Sequence, residues 1–457
     1  MLTHYPINFQ DLTIIAPDKT SLANILRKNL KETICIDPNG VSISREDLLS
    51  HALFVSTQLP EGSYAINLCK NRYLFIVCYL AVILRNQITL LPPNQAKRVV
   101  TNLLINYPDS YCISDEISTS LASCFSISYD MLKKSPHPFP LFDTTKTISI
   151  SFTSGSTGEP KAIKKNWQEF QKAAELALSQ LDLLEQNTTL VSTVPIQHMY
   201  GLETSLFWPL CSRLSIYNSR PFYPTDILNS LLSLAKPGIL ISTPTHLKAC
   251  IKTDTSWPKI QMIISSTAPL NNALAQDIEN KFITPVFELF GSTETLSFAS
   301  RRSSHSSHWM PYKSIHLEQE LDSFFISGGH LTSKIKSNDH FQLNDNGTFK
   351  LLGRSTDLIK IAGKRASLAE LNQALTQIDG IDDGLFFQGK NGRLSILIVS
   401  RLEKKIILQE LKLFIDEVFL PKKIVQVAKL PRNETGKIIK NELDQLISSI
   451  NQRTHFV

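Results

Sequence analysis

The stretch Ile148–Ile163, ISISFTSGSTGEPKAI, opens as an alternation of apolar and polar residues and then runs into Thr153, Ser154, Gly155, Ser156, Thr157, Gly158, Glu159, Pro160 and Lys161. Period-two alternation predicts a strand. The hydroxyls, glycines and exposed backbone N–H groups that follow suit a polyphosphate, with Lys161 adding positive charge at the loop's end. Serine, threonine and glycine are also what ordinary turns are made of, so composition alone leaves both readings open. The Walker pattern GxxxxGK[ST] cannot be laid on these residues, and Pro160 precedes the lysine where that motif needs a helix to start. A kinase or P-loop ATPase is therefore disfavoured.

Outward from this loop, helical segments such as Arg45–Gln58 and Trp167–Leu184 alternate with short β-branched runs such as Gly238–Ser242 and Gln261–Ser265. That alternation predicts layered α/β structure with largely parallel sheets. A chain of 457 residues with 42% hydrophobic content is too long for one core and has apolar material for more than one. Near Gly353 the texture shortens: Ser367 followed by Glu370 predicts a capped helix to about Ile378, and LSILIVS, Leu394–Ser400, predicts a strand. The expected division is a large domain over 1–354 and a small one over 355–457, with the junction at Arg354–Asp357.

Seven scattered cysteines, an odd number without a CxxC pair, predict free thiols in a reducing compartment. The start MLTHYPINFQDL lacks the features of a signal peptide, and the longest apolar run, Tyr73–Leu84, is too short to span a bilayer, so a cytoplasmic protein without stable membrane insertion is expected. The net charge of +6 is modest, and 355–457 contributes 16 Lys and Arg against 12 Asp and Glu. A solvated surface explains that excess, although phosphates or an acidic carrier would also fit it. No basic stripe with interleaved aromatics points to nucleic acid. The cluster RRSSHSSH, Arg301–His308, reads as a surface loop, with His305 and His308 solvated.

Several further motifs follow in order: VPIQHMYGL (Val194–Leu202), SSTAPL (Ser265–Leu270), ELFGSTET (Glu288–Thr295), NDHFQLNDNGTFKLLGRSTDLIKIAGKR (Asn338–Arg365) and LPRNETGKIIKNEL (Leu430–Leu443). Together with the loop at 153–161 and the unit Ala65–Asn94, this series closely resembles the adenylate-forming superfamily of acyl- and aryl-CoA synthetases, free-standing adenylation domains and luciferase. The likeness extends over nearly the whole chain. It implies an α/β fold, with a large N-terminal adenylate-forming domain of layered sheets and a small mobile α+β C-terminal domain.

The same resemblance implies that Thr153, Ser154, Gly155, Ser156, Thr157 and Gly158 close over the β- and γ-phosphates of ATP beside Lys161. It puts Ala268 and Pro269 at the adenine and the ring of Phe290 stacked on it, with Gly291 in the same loop. Thr293 would touch the α-phosphate and Glu294 would hold Mg²⁺. Asp339 and Arg354 would bind the ribose hydroxyls, a task suited to a carboxylate acceptor and a guanidinium fork. Lys437 would be the catalytic lysine of adenylation, and Gly363 and Lys364 would face the incoming thiol after domain rotation. His198 is a candidate acyl-pocket residue, and a satisfied core histidine is the equal alternative. The chain departs from the family pattern at Ala162, Asn338 and Thr356.

The implied activity is attack of a small-molecule carboxylic acid on the α-phosphorus of Mg·ATP, followed by transfer of the acyl group to CoA or to the phosphopantetheine arm of an acyl carrier protein. The phrases CKNRYLF and LLPPN, with the short length, more distantly resemble the compact ligases of aryl-polyene-type pathways and imply an aryl or medium-chain acid. The alternative is a degenerate nucleotide-binding protein without catalysis. The joint presence of Lys161, Glu294, Asp339, Arg354 and Lys437 argues against it.

Overall fold

The alternating helices and β-branched runs assemble into parallel ladders in a computed structural model, which describes residues 19–21, 30–116, 123–135, 140–154, 160–354, 358–361, 364–389, 393–433 and 436–453. Two units divide the chain: Met1–Thr189 with Pro195–Ser219, and Leu190–Val194 with Arg220–Val457.

The first unit holds a six-stranded sheet in the order Pro160–Asn166, Thr147–Ser154, Ile88–Leu91, Tyr64–Asn67, Ser110–Ser114 and Cys124–Ser126. Every pairing is parallel except the outermost one, where Pro160–Asn166 runs antiparallel to Thr147–Ser154. Between the strands Tyr64–Asn67 and Ile88–Leu91 runs the helix Arg72–Leu84, the apolar segment noted above, with every residue buried. A helix apolar on all sides belongs inside a protein, not on its surface. The Asn71 side chain caps it by accepting from Leu74 N at 3.0 Å. Trp167–Gln180 starts at a full capping box, in which Asn166 and Glu169 satisfy each other's backbone donors.

The second unit builds a parallel ladder in which Leu190–Ser192, Ile239–Ser242, Met262–Ser265 and the start of Val286–Ser292 pair in sequence order. Leu296–Arg301 and Met310–Pro311 then add antiparallel strands. Helices Pro224–Leu232, Pro244–Ile251 and Asn272–Phe282 make the crossovers. After the hairpin Asp339–Leu343 with Phe349–Arg354, the chain forms a smaller α+β layer: the sheet Ile381–Gln388, Leu394–Ser400, Lys423–Gln426 and the helices Leu368–Leu375, Lys404–Phe414 and Lys440–Arg453. Its core centres on Leu375, Ile396, Ile398, Ile407 and Leu411, all 0% exposed. Each such side chain contributes about 1.5–3 kcal/mol by leaving water.

The predicted strand Leu394–Ser400 is found over those residues, and the helix expected from Ser367 to about Ile378 spans Leu368–Leu375. The seven cysteines are all free thiols. Among the described residues no helix is long and apolar enough to cross a membrane.

Candidate active site

Parallel strands present their carboxyl ends at one edge, where α/β proteins bind ligands. In the second unit that edge carries Thr193, Thr243, the segment Ser265–Leu270 and the turn after Ser292. Thr193 Oγ1 and Ser242 Oγ share a hydrogen bond of 3.1 Å across two of the strands. Ser266 Oγ donates to Leu289 O at 3.0 Å, and Thr267 adopts a positive φ of 79°, which turns the chain before Ala268 and the exposed Pro269. Leu270 N donates to Glu288 Oε1 at 2.8 Å.

Glu288 is only 2% exposed and accepts at its other oxygen from Arg301, Nε at 2.7 Å, and from Ser303 Oγ. Arg301 in turn lies over the Trp309 ring at 4.3 Å. Buried carboxylates survive only when paired and hydrogen-bonded in this way. The segment Arg301–His308, expected as a surface loop, is therefore tied down at its first three residues. Arg302 joins Glu279 at 2.8 Å and Ser303 is 4% exposed, while His305 and His308 are exposed as expected.

Phe290 packs its half-buried ring among Phe298, Trp309, Phe341 and Phe349, with centroids 5.0–6.1 Å apart. Directly after it the ladder shifts register and the chain turns. A β-carbon on Gly291 would lie 2.0 Å from Leu296 O, so only glycine fits there. Ser292 N donates to Thr295 Oγ1 at 2.9 Å, Thr295 N donates to Ser292 Oγ at 3.2 Å, and His330 Nε2 donates to Thr295 O at 2.6 Å. These bonds fix the turn on which Thr293 and Glu294 stand, both half-exposed. Glu294 and Thr293 supply a carboxylate and a hydroxyl, oxygen ligands of the kind Mg²⁺ takes together with phosphates and water, and among the described residues no cluster of three or more His, Cys, Asp or Glu surrounds them.

Asp339 and Arg354 stand directly opposite one another in the antiparallel register of their hairpin. Asp339 N donates to Ser337 Oγ at 2.9 Å, and the backbone at Asn338 lies outside the positive-φ region. The departure from the pattern at Asn338 therefore needs no left-handed backbone.

Lys437 is exposed on a loop between Leu430 and the helix Lys440–Arg453. Asn433 closes that loop: its backbone N–H donates to Lys437 O at 2.8 Å and its Oδ1 accepts from Lys437 N at 2.9 Å. Gly436, at φ +81°, seats against Thr245, where a β-carbon would come within 2.5 Å of Thr245 Oγ1. Thr245 lies in the first turn of the helix Pro244–Ile251, which follows the strand Ile239–Ser242. The loop bearing Lys437 therefore meets the same carboxyl edge that carries Ser265–Leu270 and Glu294.

Lys161 and His198 belong to the first unit. Lys161 is exposed in the antiparallel edge strand, opposite Thr153, while Pro160 pairs with Ser154 and begins that strand. Proline is tolerated at a strand start on a sheet edge. Gly155, Ser156, Thr157 and Gly158 lie outside the described residues, as do Thr356 and Gly363; Lys364 begins a strand opposite Ile361. His198 is half-buried and caps a short helix, its Nδ1 accepting from Tyr200 N at 3.3 Å, and Gln197 Nε2 donates to Cys69 O at 2.6 Å. A five-residue π-helix, Glu203–Phe207, follows.

Residues that the motifs do not mark include Thr245, Asp383 and His330. Arg432 lies inside LPRNETGK, yet nothing in that string announces its partner.

The pattern of the AMP-binding enzyme family matches residues 47–316, more than half of the chain. The chain is 24% identical to a putative long chain fatty acid–CoA ligase, VraA, of Staphylococcus haemolyticus over 65% of this chain and 70% of that one. It is 21% identical to the 3,4-dihydroxybenzoate–[aryl-carrier protein] ligase of Bacillus anthracis over 65% and 73%. The fold superposes on ATP-bound MatB from Rhodopseudomonas palustris with a TM-score of 0.82, covering 94% of this chain and all of the other at 17% identity. The carboxyl-edge site thus stands in a chain that belongs to the AMP-binding enzyme family.

Proposed function

We propose that this chain is an ATP-dependent acid–thiol ligase. A substrate carboxylate oxygen attacks the α-phosphorus of ATP, the bond to the β-phosphate bridge breaks, and pyrophosphate leaves with acyl-AMP formed. A thiol sulfur then attacks the acyl carbon and AMP departs. The observation that supports this reading is the seat of the Lys437 loop on Thr245, at the edge shared by Ser265–Leu270 and the turn holding Glu294.

Each role follows from side-chain chemistry. Lys437 supplies a compact positive charge where the carboxylate and the bridging oxygen meet. Glu294 is the carboxylate assigned to magnesium, which when bound neutralises polyphosphate charge. Thr293 donates to the α-phosphate, Asp339 and Arg354 hold the ribose, and Ala268, Pro269 and Phe290 border the adenine. Thr153, Ser154, Gly155, Ser156, Thr157, Gly158 and Lys161 serve the β- and γ-phosphates. Residues 1–354 form the adenylating domain and 355–457 the lid that brings Lys437 to it, then Gly363 and Lys364 for transfer.

The acid is assigned to the aryl or medium-chain class, and the acceptor is CoA or a carrier-borne phosphopantetheine. Relatives that act on a fatty acid with CoA and on a dihydroxybenzoate with an aryl-carrier protein bracket both choices. The setting is cytoplasmic. Carboxylate-dependent ATP–pyrophosphate exchange, screened over benzoates, cinnamates and fatty acids, tests the reading without knowledge of the thiol. Exchange with one class names the substrate; silence across the panel while ATP still binds leaves a nucleotide-binding protein without catalysis.

A further inference from the structure

The strand Ile381–Gln388 shifts register against Leu394–Ser400 between Ile381 and Asp383, so Asp382 is an extra, unpaired residue. A bulge of this kind re-aims consecutive side chains. Here it sends two adjacent aspartates to two different partners.

Asp383 receives Arg432 in a two-pronged pair, Nε to Oδ2 at 2.7 Å and Nη2 to Oδ1 at 2.7 Å, and both side chains are about 29% exposed. The third prong of the same guanidinium, Nη1, donates to Gly436 O at 2.7 Å. Arg432 therefore ties the sheet to the peptide immediately before Lys437. Asp382 faces the helix Pro244–Ile251: its carbonyl accepts from Lys248 Nζ at 2.8 Å and its carboxylate accepts from Lys252 Nζ at 3.1 Å. The first turn of that helix holds Thr245, the residue on which Gly436 rests. Asn271, the cap of the helix Asn272–Phe282, donates through Nδ2 to Thr376 Oγ1 at 3.0 Å, a second link between the ladder's helices and the smaller layer.

We infer that the Asp382–Asp383 bulge is a positioning element for adenylation: Asp383, through the fork of Arg432, sets the Gly436 carbonyl and so the direction in which Lys437 is presented. Asp382, through Lys248 and Lys252, registers the bulge on the carboxyl edge. Arg432 is a positioning residue and touches no reacting atom. A guanidinium suits the task because its donors are fixed in one plane and three of them are used at once, which an ammonium cannot reproduce. The strand and the loop then move as one body with the lid.

Because Lys437 is taken as the adenylation lysine, the test runs Lys437→Ala beside the new variants. The probe is the acid that gives the strongest pyrophosphate exchange in the panel above. Arg432→Met is expected to lower the kcat of exchange by about tenfold to a hundredfold, the cost of misplacing a catalytic group by about an ångström. KM for ATP should stay within twofold, and acyl transfer from preformed acyl-adenylate to pantetheine should be unchanged. Arg432→Lys should recover part of the loss, and Lys248→Met with Lys252→Met, which removes the Asp382 contacts and leaves the Arg432–Asp383 fork in place, should lower exchange severalfold in a protein of unchanged melting temperature. Wild-type exchange in Arg432→Met while Lys437→Ala is silent would overturn the bulge's role alone; wild-type exchange in Lys437→Ala would overturn the assignment beneath it. Equal loss of both half-reactions in the Lys248 and Lys252 variant, at unchanged melting temperature, also contradicts a role specific to adenylation.

Discussion

The turn Ser292–Leu296 and the loop Arg432–Ile438 are assigned to the same nucleotide, yet they are built in opposite ways. The turn is part of the ladder: Gly291 has no room for a β-carbon beside Leu296 O, Ser292 and Thr295 bond each other, and buried His330 holds Thr295 O. It cannot shift without breaking strand pairing. The loop is held by polar contacts from Arg432 and Asn433 and by the seat of Gly436 on Thr245, with Lys437 itself exposed. Such bonds net about 1 kcal/mol each, and about 1.5–3 kcal/mol where the Arg432 guanidinium donates. A rigid turn and a lightly held loop suit the proposed ligase, whose two half-reactions would share one site.

The largest effect that would sharpen this contrast is catalytic. Lys437→Ala should lower pyrophosphate exchange by roughly a thousandfold, the scale of a lost electrostatic contact in the transition state, while its urea midpoint matches wild type because the side chain is exposed. A shifted midpoint would mean the loop is structural after all. Next comes the turn's support: Glu288→Gln leaves Arg301 short of its charge partner in a site where Glu288 is 2% exposed. About 3 kcal/mol of stability should be lost, measured by urea unfolding. Gly291→Ala should cost about 2 kcal/mol through overpacking against Leu296 O; a neutral result would put the turn in the same class as the loop. The smallest effect is expected away from both regions, where Lys334 pairs with Glu318 and Glu320 at 2.6 and 2.5 Å on the surface. Lys334→Met should leave the urea midpoint within error, since exposed pairs of this kind contribute little.

Much of the sheet was legible in the sequence, because short β-branched runs between helical segments dictate a parallel ladder and its loops follow directly from the strand ends. Arg45–Gln58, Trp167–Leu184 and Leu394–Ser400 appear as helices and a strand within a few residues of expectation. The ordered motifs also located Glu294, Asp339 and Lys437 as candidates. What fixes those residues was not legible. Glu288 and Arg301 are joined by an antiparallel pairing that no local pattern encodes. Arg432 and Asp383 lie 49 positions apart and meet only because a bulge redirects one of them. A run such as RRSSHSSH looks solvated by composition, yet its first residues are held by Glu288 and Glu279 through tertiary packing.

The most direct measurement is single-turnover formation of acyl-AMP from ATP labelled at the α-phosphorus, with wild type and Lys437→Ala compared at saturating acid from the responsive class. Labelled acyl-AMP from the wild type and almost none from the variant, at equal ATP occupancy, is the predicted result. Equal yields from both proteins, or free AMP without acyl-adenylate from the wild type, would contradict a carboxyl-edge ligase that works through Lys437.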